Sequence, residues 1–157
     1  MSALDPFDTP RDTVRALIAA RPYFAGVAIH TEKAGDLVQT LTNQLAKLGL
    51  AIVVMVPAAD SGVNKGDMIQ QTLRIVVEVS ELVVLNQGAT GTKKPALMAV
   101  REIVKAIHKK PNGLQPAGEL RIPGINEITV DLELPFQRRP HERYLVYHVY
   151  GETTVLF

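Results

Sequence analysis

The sequence predicts a single α/β domain of the α+β type, in which a mostly antiparallel or mixed β-sheet is flanked by about three helices. Segments with the helical period of apolar residues alternate with strand-like segments, and several strands have one polar face, which favours antiparallel pairing. The 157 residues are 46% hydrophobic, enough for one core. We therefore expect one domain over residues 1–157, with residues 1–8 as a flexible N-terminus.

The first helix has clear start and stop signals. Asp8 or Thr9 can cap it, and Pro10 suits its first turn. Its apolar stripe comprises Val14, Leu17 and Ile18. Arg21-Pro22 ends the helix, since a residue before proline disfavours the helical conformation. Residues 24–31 then predict a strand. Its expected core members are Phe24, Val27 and Ile29.

A second helix is predicted between Asp36, its cap, and Gly49, whose left-handed conformation closes it. Leucines recur with the helical period at Leu37, Leu41, Leu45 and Leu48. This stripe predicts that Leu41→Asp unfolds the protein, because the substitution would place an unpaired charge in the core. Residues 50–56 are a continuous apolar run rich in β-branched side chains, which predicts a strand buried on both faces.

The middle of the chain predicts a loop, a long strand and a third helix. Residues 58–67 are polar and contain glycine, so we expect a loop. Residues 69–79 alternate as a long amphipathic strand that continues or bulges into residues 82–85. Pro95 opens the third helix and Pro111 stops it. The apolar stripe of this helix comprises Leu97, Val100, Ile103, Val104 and Ile107.

The C-terminal part predicts two further strands. Residues 128–134 alternate cleanly, with one face exposed to solvent. Residues 135–143 form a basic turn, residues 144–150 form the next strand, and residues 153–157 end the chain with an apolar segment. We expect the helices to cover this sheet on one side.

Composition excludes several classes of site. The chain has no cysteine, which excludes a disulfide framework, a thiolate metal site and a cysteine nucleophile. Its net charge of +1 provides no global attraction to nucleic acid or to an anionic membrane. The first residues lack the features of a signal peptide, and no apolar run approaches the roughly 20 residues that span a bilayer. We expect a soluble protein whose partners are neither membranes nor nucleic acids.

Residues 86–95 (Asn-Gln-Gly-Ala-Thr-Gly-Thr-Lys-Lys-Pro) place two glycines before a helix. A phosphate loop needs four residues between its glycines, followed by lysine and then serine or threonine. Here two residues separate Gly88 from Gly91. Pro95 stands where the hydroxyl residue belongs, and it removes a backbone donor. A flexible loop before an ordinary helix start is the better interpretation.

The titratable and nucleophilic residues form no recognised catalytic or metal motif. The histidines, none at ligand spacing, are His30, His108, His141 and His148. The serines, none in a nucleophile elbow, are Ser2, Ser61 and Ser80. Glu127, Asp131 and Glu133 alternate as one face of a strand. We predict no enzymatic activity and no catalytic, cofactor or metal site. A closed cleft joining His30, His148 and Asp131 would contradict this.

The candidate functional residues are polar side chains placed for contact with other proteins. A basic cluster comprises Arg138, Arg139, His141 and Arg143. This cluster is either a solvated hairpin tip or a contact with an acidic partner or a DNA backbone. Further candidates, in two predicted loops, are Asn64, Lys65, Lys93 and Lys94. Loops of this length are typical of segments that become ordered on assembly.

The order and size of the segments resemble a known family. The alternating strand 69–79, the helix that begins Pro95-Ala-Leu-Met-Ala-Val, and the aromatic-aliphatic strand 144–150 look like those of bacteriophage tail terminator and minor tail (head–tail completion) proteins. The resemblance implies a homo-oligomeric ring, usually a hexamer, that ends the tail tube. It implies the tail tube protein and the head–tail connector proteins as partners. It also implies the host cytoplasm during assembly, and then the virion tail, as the location.

Two points remain open in the sequence. The second helix, at residues 36–48, is absent from the shortest members of that family, so both a tail terminator and a neck completion protein stay possible. The alternatives from other classes are a small-molecule-binding or catalytic α/β domain, which requires a pocket with convergent polar groups, and a nucleic-acid accessory protein that uses the basic turn.

Overall fold

The computed structural model of the chain describes residues 8–33, 35–59, 62–107, 129–131 and 144–156. The helices are α1 (Asp8–Ala19), α2 (Leu37–Leu48), α3 (Val83–Asn86) and α4 (Ala96–Ile107), with one 3-10 turn at Pro22–Phe24. The strands are β1 (Ile29–Thr31), β2 (Leu50–Ala59), β3 (Val63–Lys65), β4 (Met68–Leu82), β5 (Thr129–Asp131) and β6 (Tyr144–Leu156).

The described strands form one six-stranded sheet in the order β1-β2-β4-β6-β5, and β3 pairs with β4 beside this path. β1 and β2 are parallel, with α2 between them in the chain. The remaining pairings are antiparallel, and the longest runs from Gln70 opposite Leu156 to Leu82 opposite Tyr144. The sheet is therefore mixed and mostly antiparallel, and the predicted α+β class is confirmed.

The main core lies between one face of the sheet and helices α1 and α4. Its buried members include Val14, Ile18, Ile52, Val77, Ile103 and Val149. Neighbours along a strand point to opposite faces, so Ala51 and Val53 are buried on the other face. Leu45 of α2 is buried but lies outside the main core, and we infer that α2 covers this second face. The expectation that helices cover only one side is corrected, because β2 is apolar on both faces.

The predicted ends of α2 are confirmed. The Asp36 side chain accepts a hydrogen bond from the Gln39 backbone N–H at 3.1 Å. Gly49 closes the helix with a φ of 76°, and its N–H donates to the Leu45 carbonyl at 2.9 Å. A Cβ on Gly49 would lie 2.3 Å from the Asn86 backbone nitrogen. Both the backbone angle and the packing therefore require glycine here.

Three predicted boundaries are wrong. The strand expected at 24–31 begins only at Ile29, because a 3-10 turn and Gly26, with a φ of 78°, precede it. Phe24, Val27 and Ile29 are nevertheless core residues, as predicted. The long strand ends at Leu82, and residues 83–86 are helical. Within the loop expected at 58–67, residues 58–59 are the end of β2 and residues 62–67 belong to a hairpin, which is described below, while residues 60–61 lie outside the described residues.

The apolar stripe of α4 is also corrected. Val100, Ile103 and Ile107 are buried as expected, but Leu97 is exposed. Three alanines, at positions 96, 99 and 106, lie in the buried face instead. Small side chains allow close approach of the helix to the sheet, and the buried face is therefore rotated away from Leu97.

Several predictions lie outside the described residues. Residues 1–7 are among them, while Asp8 is already helical. So are His108, the basic turn at 135–143 and most of the strand predicted at 128–134, of which β5 covers 129–131. β6 extends the strand predicted at 144–150 to Leu156.

Candidate protein-interaction surface

β3 and the first residues of β4 form a hairpin that lies beyond the helical cover. Lys65 pairs with Met68, which leaves Gly66 and Asp67 as a two-residue turn, and Val63 pairs with Gln70. Gly66 has a φ of 65°, which this type of hairpin turn requires. Burial along β4 begins only at Leu73. We call residues 62–72 the hairpin arm.

The hairpin arm exposes large apolar side chains. Val63, Met68 and Ile69 are 59%, 45% and 40% exposed. A Cβ on Gly62 would lie 2.5 Å from the Ile69 Cγ2, so glycine permits the backbone to pass close to this side chain. The arm therefore combines a rigid backbone pairing with an apolar surface that the core does not use. Such clusters mark sites of contact with other molecules.

The opposite end of β4 carries a buried polar network. Glu81 and Asn86 are almost fully buried. The Asn86 Nδ2 donates to the Glu81 Oε2 at 2.7 Å and to the Lys94 carbonyl at 2.8 Å. The Thr92 hydroxyl donates to the Asn86 Oδ1. The Lys93 N–H donates to the Asn86 carbonyl at 2.9 Å. These bonds hold the glycine-containing loop against the end of the sheet.

The same network occupies the start of α4. The Ala96 backbone N–H donates to the Glu81 Oε1 at 3.0 Å. The free N–H groups of a helix start attract an anion, and here the chain provides its own carboxylate. A Cβ on Gly91 would lie 2.1 Å from the Asn86 carbonyl oxygen, so the loop is closely packed. The geometry agrees with the interpretation that residues 86–95 are not a phosphate loop.

Lys93 and Lys94 lie in this loop but have different surroundings. Lys93 has an exposed side chain and a φ of 58°. The Lys94 Nζ lies 4.8 Å from the centre of the Tyr23 ring, a cation–π contact. Burial, followed by the nearby carboxylates of Glu102 and Glu81, raises the pKa of Tyr23. Only Lys93 of the two presents its charge freely to solvent.

Of the predicted interface residues, the structure describes the side chains of Asn64, Lys93 and Lys94, and it does not bring Asn64 together with the two lysines. Asn64 is exposed in β3, which pairs with the first residues of β4. Lys93 and Lys94 lie beyond the last residue of β4. At about 3.3 Å per residue, Met68 and Glu81 are roughly 40 Å apart along the strand. The backbone of Lys65 belongs to β3, and its side chain lies outside the description. The basic cluster of Arg138, Arg139, His141 and Arg143 lies outside the described residues.

The second face of the sheet carries a histidine–carboxylate pair. The His148 Nε2 lies 3.0 Å from the Glu78 Oε2, and the Ser80 hydroxyl donates to the Glu78 Oε1 at 3.5 Å. The carboxylate therefore stands between the hydroxyl and the imidazole. Activation of a serine requires the imidazole to contact the hydroxyl, so this order does not match a nucleophilic triad.

His30 belongs to the same row of the sheet but is not part of this pair. It is aligned with Val53, which is aligned with Glu78, so two strand spacings of about 4.8 Å separate His30 from the carboxylate. Asp131 pairs with Val146, and its side chain lies outside the description. In the part of the chain that the structure describes, no three His, Asp or Glu side chains are placed to hold a metal ion.

Sequence reasoning missed two buried ionic groups. Arg11 is buried in α1, and its Nη1 donates to the Glu32 Oε1 at 3.0 Å. The Glu32 Oε2 accepts from the Val56 N–H at 3.0 Å. This bond satisfies the edge of β2 where the strand continues past the end of β1. The second is Glu81 with Asn86. No local pattern identifies either group, because Arg11 is 21 residues from Glu32 and Glu81 is 15 residues from Ala96. The two-residue turn at Gly66 was the signal for the hairpin arm.

No protein-family model matches the chain, and no curated protein matches it. None of the described helices combines the length and the apolar character needed to cross a lipid bilayer.

Proposed function

We propose that the protein is a structural subunit of a bacteriophage tail. It assembles into a homo-oligomeric ring, a hexamer, which ends the tail tube and joins it to the head–tail connector. Its partners are copies of itself, the tail tube protein and the connector proteins. It acts in the host cytoplasm during assembly and then stays in the virion tail.

The observation that carries this proposal is the exposed hairpin arm. A monomer gains nothing from apolar side chains at Val63, Met68 and Ile69, which are 40–59% exposed on a strand pair outside the core. Burying such side chains in a neighbour contributes about 25 cal/mol per Å² of apolar surface. A subunit that must assemble uses them. The order of segments that resembles tail terminator and completion proteins supports the same class.

The polar groups of the described residues also support a structural role. Glu81 and Asn86 bond to the chain's own backbone and to each other. Arg11 and Glu32 do the same at the edge of β2. Each of these groups stabilises a junction between elements. Rigid junctions suit a subunit whose surfaces must fit neighbours on several sides.

Native mass spectrometry and negative-stain microscopy of the purified full chain test the proposal. We expect a species of six times the 17.1 kDa chain mass and six-fold rings with a central channel. A functional measurement is the length of tail tubes: the ring should shorten tubes when added to polymerising tube protein from the same virion. A chain that stays monomeric at high micromolar concentration, or tubes of unchanged length, would contradict the proposal.

A further inference from the structure

Two exposed apolar patches lie at opposite ends of β4. The first is the hairpin arm, with Val63 and Met68 on one face and Ile69 on the other. The second comprises Val84 on α3 and Leu97 and Met98 at the start of α4, which are 54%, 56% and 40% exposed. Both elements of the second patch meet at Glu81, which bonds Asn86 of α3 and Ala96 of α4. We call this second patch the α3–α4 end.

The two ends also differ in charge. Asp67 is exposed in the turn of the hairpin arm. The α3–α4 end presents the exposed cations Lys93 and Arg101. Its nearest acidic groups are engaged elsewhere. Glu81 is buried in the network, and Glu102 lies 2.7 Å from the Arg21 guanidinium and 3.3 Å from the Lys105 Nζ. The exposed Asp67 carboxylate beside apolar side chains therefore matches an apolar surface with exposed cations.

We infer that the hairpin arm of one copy docks on the α3–α4 end of the next copy. The contact is heterologous, because the two surfaces belong to different parts of the chain, roughly 40 Å apart along β4. Each copy therefore keeps one arm and one α3–α4 end available, and successive copies can continue head to tail. A rotation at each contact closes such an array into a ring, whereas a translation yields a filament. This inference specifies the subunit contact of the proposed ring and rests on that proposal for its closure.

The contact has a defined pairing. Val63 and Met68, which share one face of the hairpin, meet Leu97 and Met98, and the Asp67 carboxylate meets the Lys93 ammonium. The backbone at position 93 is held in place because its N–H bonds the Asn86 carbonyl. A rigid loop lowers the entropy cost of ordering the side chain at the interface.

Neutral substitutions test the apolar part. Met68→Gln and Leu97→Gln each keep size and charge but remove apolar contact, and each should weaken self-association roughly tenfold or more. Val38→Gln is the matched control, because Val38 is also exposed, on α2, and belongs to neither patch. Sedimentation equilibrium measures association, and circular dichroism verifies the fold. Association by both patch variants that is as tight as that of the control would overturn the inference.

A charge exchange tests the pairing itself. Asp67→Lys and Lys93→Asp should each weaken association, and the double variant should recover most of it. Aspartate tolerates the left-handed backbone at position 93. Failure of the double variant to recover association would overturn the assigned pair. An intact hexamer in all these variants would overturn the assigned contact but not the ring. If the wild-type protein forms filaments or dimers instead, and the variants disrupt them, the contact is supported and the ring is contradicted.

Discussion

The Glu81 carboxylate connects the end of β4 to the start of α4, since its Oε1 accepts the Ala96 N–H at 3.0 Å while its Oε2 accepts the Asn86 Nδ2 at 2.7 Å. One side chain thus satisfies a helix terminus and a buried amide at once. The position of α4, and with it the α3–α4 end, depends on this bond pair.

Removal of this carboxylate should destabilise the fold. Glu81→Ala leaves the buried Asn86 amide and the Ala96 N–H without their acceptor, which costs on the order of 2–5 kcal/mol. Urea unfolding measures the free energy. The control is Glu152→Ala, because Glu152 lies 3.9 Å from Arg74 in a pair whose side chains are 42% and 60% exposed. Such a pair contributes about 0–1 kcal/mol. Equal losses in the two variants would contradict the structural role of Glu81.

Gly91→Ala should also destabilise, because a Cβ there lies 2.1 and 2.2 Å from two backbone carbonyl oxygens. Backbone atoms cannot rotate away as a side chain does, so we expect a loss of about 1–3 kcal/mol. Gly35→Ala is the control, since a Cβ at Gly35 meets nothing within 4 Å. The melting temperatures of the two variants give the comparison. A Gly91→Ala protein that melts at the same temperature as Gly35→Ala would show that the loop is not closely packed around Gly91.

The structure changes the prediction for Leu41→Asp. Leu41 is only half-buried on α2, whereas Leu45 is buried. A half-buried carboxylate can turn toward water, so Leu41→Asp should lower stability without unfolding the protein, and Leu45→Asp should cost more. Urea midpoints of both variants give the order. A reversed order would mean that α2 lies on the sheet with a different face.

The Arg21–Glu102 pair predicts a pH dependence. The hydrogen bond from Arg21 holds the pKa of Glu102 below its ordinary value, despite an opposing effect of burial. A lowered pKa contributes stability above the ordinary glutamate pKa of about 4.3, and this contribution is lost as the pH falls through the folded-state pKa. Glu102→Gln should therefore melt below the wild type at pH 7. The difference in melting temperature between the variant and the wild type should become smaller at acid pH. A difference that does not change with pH would show that the ionised Glu102 carboxylate is not its cause.

The sequence predicts only part of the candidate surface. The sequence predicts Lys93 and Asn64 as loop residues, and both are exposed, although Asn64 lies in β3. The sequence does not show that these two residues lie far apart, because only the length of β4 places them at its opposite ends. Leu97 was assigned to the core by its period, because the helical pattern does not distinguish a leucine stripe from the neighbouring alanine stripe. Packing against the sheet selected the alanines.

The sequence by itself determined the class of the fold, the ends of α2 and the two-sided burial of β2. These depend on neighbours within a few residues: Asp36 caps the helix that follows it, Gly49 adopts the backbone angle that ends it, and an apolar run has no polar face to expose. Only the tertiary structure decided that Glu81 holds the start of α4, that Glu32 links Arg11 to Val56, and that the hairpin arm stays uncovered. These contacts join segments distant in the chain, where closure depends on how the whole sheet and its helices pack.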